Sequence, residues 1–467
     1  MDRTVYDRLK AWLDDHFDAL VEDIRRISAI PSVVTYDDPD TPFGPDCKRA
    51  LEETLRLAEG YGFTTRNYED RYGSVTLRPG DEEIAFWGHL DVVPAGEGWR
   101  LTEPYRPVVR EGYLIGRGVD DNKGPALGVM YMLRALEELH IPTRHGLRLF
   151  LGCDEERGMR DVEHYAANYP PQKLTIIADC AFPACYGEKG IIEVNILSER
   201  PLEAVLHLKA GMASNIVPDR AQMRLRGLAA QRCASEWVDA CETEGETCLQ
   251  GRGLSRHSAF PEGGVNAIHE VMKAALASGL LTESDARTIG FFVRVNDDTL
   301  GTAVGIAGGD EVSGNTTCCG TMASILPDGR ACLHLNIRHC ITARSEDLMS
   351  RMEQACRANG CTLESVHISG PNYFPKEHPV VDALTSVYNE LSGSSSEPYV
   401  MGGGTYARKL QNALGFGLGG LPREETDLFV TGHGGAHQPD EGLHLDNFKQ
   451  ALLIFAMGVL EADRVLT

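Results

Sequence analysis

Five short stretches of the sequence carry side chains able to hold metal ions and move protons. They are His89-Leu90-Asp91, Asp120-Asp121-Asn122-Lys123-Gly124, Asp154-Glu155-Glu156, Asp179, and His437 in the run HQPDEG. Imidazole and carboxylate together suit zinc or manganese. His89 and Asp91 are two residues apart, so on a strand they point to the same side, and one can bind an ion while the other orients it. Glu155 and Glu156 are adjacent and cannot both face one ion from an extended strand, so one is expected as a ligand and the other as a general base or acid. Four or five carboxylates in one pocket would repel one another unless cations neutralised them, which argues for two ions rather than one. Taken singly, each stretch has a plainer reading: a surface turn for HxD, an acidic helix start for DDNKG, a charged loop for DEE.

What the stretches share is position. Apolar runs at 84–88, 147–152 and 174–178 each end in one of them. Between the first two lies a stretch of helical pattern, 123–140, stopped by Pro142. Short buried strands alternating with helices predict an α/β domain, a mixed sheet with helices on both faces, and open sheets of this kind place their sites just past the strand ends. The chain begins with a helical pattern, Val5, Leu9, Leu13, Phe17, Leu20, Ile24 and Ile27, ended by Pro31; a second helix is expected over 47–61 and a last one over 446–463. After about residue 190 the pattern changes. Segments 205–209, 222–226 and 332–338 alternate apolar and polar as half-buried antiparallel strands do, with helices near 265–280 and 346–358. The expected organisation is therefore a catalytic domain in two parts, 1–190 and 377–467, with an α+β domain inserted at 191–376.

Length and composition agree. The chain has 467 residues, enough for two domains, with 42% apolar and 24% charged residues. A formal net charge of -23 disfavours nucleic acid and anionic membranes as partners. Thirteen scattered cysteines, with no CxxC, predict free thiols and a reducing compartment. The opening MDRTVYDRLK is not followed by an apolar signal region, and no apolar run reaches the roughly 20 residues of a membrane span. A cytoplasmic protein is expected.

The runs WGHLDVVPAGEGW, YLIGRGVDDNKGPALG, GCDEERGM, IADCAFPACYGEKG and GGAHQPDE, in that order, resemble the co-catalytic metallopeptidase family that includes carnosinases, aminoacylase-1-type enzymes and succinyl-diaminopimelate desuccinylase. GEKG, GGGTYARK and the overall length are most similar to its bacterial dipeptidase branch. The resemblance implies two divalent cations, zinc first, with manganese or cobalt as alternatives. It implies that His89 and Asp179 hold one ion, Glu156 and His437 the other, and Asp121 both, with Asp120 as second choice for the shared carboxylate. A cis peptide is implied at Asp121–Asn122. Asp91 would steer His89, and Glu155 would serve as general base and acid while a water shared by the two cations attacks the peptide carbonyl. The inserted domain would act as a lid, its run GLSRHSAFPEGGVNAI bringing His257 to the oxyanion.

A dipeptidase must also hold a free carboxylate. Arg338, in the alternating run LHLNIR, is a suitable bidentate partner. Gly403 and Gly404, in a Gly-rich loop before an expected helix, could bind an anion through backbone N–H groups, and Asn315 is a further lid candidate. Cys153 and Cys180 read as packing residues, and His437 is preferred to His433 and His444 because it alone stands in HQPDE. Two other readings remain open: an amidohydrolase acting on N-acyl amino acids with the same metal centre, and a non-catalytic peptide-binding relative. The long insert resembles that of monomeric dipeptidases, so a monomer acting on a dipeptide or short peptide is expected.

Overall fold

A computed structural model describes residues 2–419, 421 and 426–467. The chain forms two compact units, one of residues 1–187, 372–399 and 405–467, the other of residues 188–371 and 400–404.

The first unit is built on a mixed sheet. Eight of its nine strands are β1 (Thr64–Tyr68), β2 (Tyr72–Arg78), β3 (Glu83–His89), β4 (Gly146–Gly152), β5 (Leu174–Ile177), β6 (Ala184–Glu188), β7 (Asn372–Tyr373) and β8 (Ala413–Phe416), in the order β1-β2-β4-β3-β5-β8-β6-β7, and the ninth, Tyr399–Met401, pairs with β6. β3, β4, β5 and β8 run parallel, and β1, β2 and β6 antiparallel to their neighbours. β3 is buried along its whole length, as a strand covered on both faces must be. Its alternate side chains meet different helices. Phe86 packs on Phe455 of the C-terminal helix Leu445–Val465, with ring centres 5.9 Å apart, whereas Trp87 faces Tyr165 of helix Arg160–Asn168 at 5.2 Å. The expected helices form over Arg3–Ser28, Pro45–Gly60 and Lys123–Glu138. The first buries Leu9, Leu13, Phe17, Leu20, Ile24 and Ile27, and the Asp2 side chain caps it by accepting from the N–H groups of Thr4 and Val5.

The register matters for the site. His89, the last residue of β3, pairs with Gly152, the last of β4, and Trp87 pairs with Ile177, the last of β5. Three parallel strands thus end side by side, and the chain beyond each carries an acidic or imidazole group.

The second unit is an antiparallel eight-stranded sheet, in the order Val238–Thr243, Glu246–Arg252, Arg220–Arg226, Val205–Ala210, Thr317–Ile325, Arg330–His339, Gly190–Pro201, Cys361–Ser369. Ala221, Met223 and Leu225 of one strand, with Leu333, Leu335 and Ile337 of another, share a core with helices Ala267–Ser278, Glu283–Val295 and Ser345–Ala358. This is the α+β pattern expected of the insert. Residues 400–404 join this unit, with the Lys189 N–H donating to the Met401 carbonyl at 2.9 Å.

One expectation fails. The Gly-rich loop does not lead into an α-helix: residues Tyr406–Lys409 form a single 3-10 turn before Leu410–Asn412 run into β8. With only four residues available there is no aligned stack of peptide dipoles, so Gly403 and Gly404 do not sit at a helix N-terminus able to bind an anion.

Candidate metal centre

The three strand ends, the turn before helix Lys123–Glu138 and the segment after residue 433 bring seven predicted residues of the first unit together. His89 Nε2 lies 3.1 Å from Asp121 Oδ1 and 3.6 Å from Asp179 Oδ2. His437 Nε2 lies 3.1 Å from Asp121 Oδ2 and 3.0 Å from Glu156 Oε2. The two trios, His89–Asp121–Asp179 and Asp121–Glu156–His437, each gather their ligand atoms within 4.8 Å and share Asp121, one oxygen to each side. Tetrahedral ligands at the usual zinc distances stand about 3.3–3.6 Å from one another, so the spacing fits an ion in each trio.

The donor chemistry fits as well. His89 Nδ1 lies 3.0 Å from the Asp91 carbonyl oxygen, which can only accept, so in the neutral ring Nδ1 carries the proton and Nε2 presents its lone pair. The Asp91 carboxylate has a second task. It accepts the backbone N–H groups of Glu155 at 3.2 Å and Glu156 at 3.0 Å, holding the turn that presents both glutamates.

Electrostatics point the same way. Burial opposes charge on His89, yet the carboxylates of Asp121, Asp179 and Asp91 outweigh it and hold its pKa well above the ordinary value. Hydrogen bonds to Asp121 and Glu156 raise His437 to about 11. Burial, followed by the Asp121 charge, pushes Glu156 up to about 7. Glu155 is pushed well above the usual carboxylate range, first by burial and then by the neighbouring carboxylates, with His89 opposing. With Asp91, Asp121, Glu155, Glu156 and Asp179 all ionised, two protonated imidazoles would still leave three negative charges uncompensated, a crowding that, after burial, the raised pKa of Glu155 and Glu156 reflects. Divalent cations are the groups that would balance them.

Several residues given no role in the sequence reading support the ligands. Asn122 Nδ2 donates to Asp179 Oδ1 at 2.9 Å and to the Ala178 carbonyl at 3.2 Å, while its Oδ1 accepts from the His89 N–H at 3.3 Å; the peptide before it, Asp121–Asn122, is cis. Lys123, fully buried, donates to the Ile27 and Ile30 carbonyls at 3.3 and 2.7 Å and ties the start of its helix to the end of the first. Asp161 accepts from the N–H groups of Cys153 and Asp154 at 2.7 and 3.0 Å and from the Tyr406 hydroxyl. Tyr36 donates to Asp154 at 2.7 Å. Asn122 and Lys123 stand inside a quoted motif and could have been singled out as its polar, buried members. Tyr36 and Tyr406 carry no local signal, because their partners, Asp154 and Asp161, lie far off along the chain.

The neighbouring candidates are otherwise engaged. His433 Nδ1 meets Asp440 at 2.7 Å, and His444 caps the last helix by accepting from the Asn447 N–H. Cys153 and Cys180 are buried against backbone carbonyls. Asp120 contributes its N–H, with that of Asp121, to Glu441.

The remaining predicted residues lie in the second unit. His257 is exposed on a two-residue strand, its Nδ1 accepting from the Ala259 N–H at 3.2 Å, so the neutral ring carries its proton on Nε2. Burial and the Arg338 charge lower its pKa. Arg338, only 6% exposed, donates to Asn336 Oδ1 at 2.9 Å and to the Gly402 carbonyl at 3.1 Å. Gly402 in turn packs against Ala259, where a Cβ would come within 2.7 Å. Arg338, the 402–404 loop and the turn after His257 are therefore neighbours. Asn315 is exposed on a separate two-stranded ribbon, and its carbonyl accepts from Lys189 Nζ.

A family model described as peptidase family M20/M25/M40 matches residues 85–460. The chain belongs to this family, and it is a peptidase. Among its relatives is YtjP of Bacillus subtilis (strain 168), which bears a provisional dipeptidase name and is 30% identical over 467 residues, 95% of this chain and 96% of the relative. Among solved structures, human carnosine dipeptidase 1 superposes with a TM-score of 0.60 at 15% identity, over 98% of this chain and 99% of the other. The dipeptidase Dug1p of Saccharomyces cerevisiae gives a TM-score of 0.59 at 15% identity, over 98% of each chain. These two likenesses show the M20 fold, a mixed-sheet catalytic domain with a second α+β domain. Divalent metal ions are general to the family, and the two trios are where this member could hold them.

Proposed function

We propose that this M20 peptidase hydrolyses dipeptides at a centre of two divalent cations bridged by Asp121. The observation that carries the reading is the pair of His–carboxylate trios meeting at that one side chain. His89 and Asp179 would complete one site, and Glu156 and His437 the other. When bound, the two cations supply the Lewis acidity that makes a water nucleophilic near neutral pH. Glu155, whose raised pKa suits proton exchange, takes the proton from the attacking water and delivers it to the leaving amine. Asp91 keeps Glu155 and Glu156 in place through their N–H groups. His257, with its proton on Nε2, is the proposed donor to the oxyanion. Arg338 and Asn315 are the proposed partners of the substrate's free carboxylate, with Arg338 held beside the 402–404 loop by its bond to the Gly402 carbonyl.

Zinc is the first choice of metal, with manganese and cobalt suited to the same ligands. Thirteen free thiols support a reducing, cytoplasmic setting, and among the described residues no helix is long and apolar enough to cross a membrane. A monomer is proposed, and light scattering at several concentrations should return a mass near 51.1 kDa.

Dipeptide turnover is tested after chelation and after restoring zinc or manganese, alongside the N-acetylated forms of the same dipeptides. Loss on chelation, recovery with metal and preference for free dipeptides are expected. Preference for the blocked compounds would replace the reading with an N-acyl amino acid amidohydrolase.

A further inference from the structure

We infer that Glu441 is a positioning residue for Asp121; the inference rests on the reading of Asp121 as the shared ligand. Glu441 is completely buried and its carboxylate receives four donors. Oε1 accepts from the N–H groups of Asp120 at 2.9 Å and Asp121 at 3.1 Å, and Oε2 accepts from the Gly118 N–H at 3.1 Å and from Arg117 Nη1 at 2.7 Å. A carboxylate offers about four acceptor positions, so every one is used, and three are spent on the backbone that presents Asp121. Those N–H groups stand in a turn between β-structure and the helix starting at Lys123, where no ladder or helical partner is available, and buried backbone donors need one.

The placement of Glu441 in the chain adds to this. It lies four residues after His437, so one short segment carries a ligand of the second trio at one end and the brace of the shared ligand at the other. That segment is itself pinned, because Asp440 accepts from the N–H groups of Arg100 and Leu101 at 2.9–3.2 Å and meets His433 at 2.7 Å. A buried ion pair such as Arg117–Glu441 is weak evidence for stability, since well-packed apolar residues often serve as well. The three backbone bonds explain why a carboxylate stands here. A carboxamide at 441 offers one acceptor oxygen in place of two and cannot serve both the Asp120–Asp121 side and the Gly118–Arg117 side. The backbone under Asp121 would then lose its fixed position relative to His89 and His437, and both ions would be held less tightly.

Zinc binding to the full chain is measured by equilibrium dialysis for wild type, Glu441→Gln, Arg117→Met and Asp121→Asn, with far-UV dichroism and thermal melting on each. Glu441→Gln should weaken zinc binding on the order of 10- to 100-fold, the usual effect of losing a group that orients a ligand, with the dichroism unchanged and activity regained as zinc is raised. Arg117→Met, which leaves the bonds to Asp120 and Asp121, should lower the melting temperature while changing zinc affinity far less. Wild-type affinity in Glu441→Gln, or losses of affinity that simply track melting temperature in both variants, would overturn the inference. Should Glu441→Gln fail to fold, Glu441→Asp keeps the charge but not the reach and carries the same comparison. If Asp121→Asn binds as many ions as wild type, the shared-ligand reading itself fails, whatever Glu441 does.

Discussion

Glu155 and Glu156 are chemically identical neighbours that the fold separates. Glu156 Oε2 meets His437 at 3.0 Å, whereas Glu155 is joined to the site through its backbone, by the Asp91 carboxylate. Burial and like charges raise the pKa of both, but Glu156 has an imidazole to answer to and a share in a trio. Replacing Glu155 by Gln keeps size and removes the proton acceptor. We expect kcat to fall on the order of 10²- to 10⁴-fold, the range that general acid–base groups contribute, while metal content measured by atomic absorption stays at the wild-type value. A variant that lost its metal in step with its activity would move Glu155 into the ligand set.

At the scale of elements, the turn 117–123 and the helix after it are packed too closely to tolerate small additions. A Cβ on Gly124, the second residue of helix Lys123–Glu138, would stand 2.1 Å from the Val119 carbonyl oxygen, a backbone atom that cannot swing away. Gly124→Ala is therefore expected to cost about 1–3 kcal/mol of stability, as overpacking does, and to lower metal affinity by displacing Asp121. Denaturant titration and dialysis read the two effects separately, and an unchanged affinity would show that the turn absorbs the methyl elsewhere.

In the second unit, Asp310 holds two loops. Burial works against its charge, but the N–H and hydroxyl groups of both Ser313 and Thr342 bring its pKa down to about 2 from an ordinary 3.8. A depressed acid stabilises the fold above its unfolded pKa, and that contribution disappears as the pH falls through the folded value. Wild type should thus exceed Asp310→Ala in stability at neutral pH, with the difference closing between about pH 4 and pH 2 in chemical denaturation. A difference that persisted at pH 2 would mean the site acts through packing rather than charge.

For the whole molecule, the proposed centre would link metal to stability. Five carboxylates converge on two imidazoles at the ends of β3, β4 and β5, so the folded chain concentrates a repulsion that divalent cations relieve and the unfolded chain does not share. A ligand that binds only the folded state at a hundred times its dissociation constant adds about 2.7 kcal/mol per site. Zinc or manganese should raise the melting temperature of chelated protein in calorimetry, and Asp121→Asn should lose most of that rise. An equal rise in the variant would place the stabilising ions elsewhere.

Much of this arrangement was legible in the order of residue types. Apolar runs ending in His89, in Asp154-Glu155-Glu156 and near Asp179 announce parallel strands whose ends carry polar groups, because burial on both faces imposes an apolar run and the chain turns polar where it leaves the sheet. The heptad-like spacing of the first helix and the alternation in Arg220–Arg226 are local consequences of period, and local patterns survive without the rest of the fold; the alternation over 332–338 does not mark a half-buried strand, because His334, Asn336 and Arg338 are buried along with the apolar residues between them. Some elements went unread although two of them carry a helical period: helices Glu283–Val295, with Thr288, Ile289, Phe292 and Val295 buried on one side, and Pro379–Ser392, with Val380, Val381, Leu384, Val387 and Tyr388 buried, and the hairpin strands Thr64–Tyr68 and Tyr72–Arg78. The Gly-rich loop was misread because nothing in its residues shows that the strand Ala413–Phe416 follows after one turn. Only tertiary structure brings the two His–carboxylate trios together around one side chain. It sets one Asp121 oxygen toward His89 and the other toward His437, more than three hundred residues away, and it places Tyr406 against Asp161 and Glu441 under Asp121. Contacts between such distant segments depend on how sheet, helices and loops close on one another, and no spacing along the chain encodes that closure.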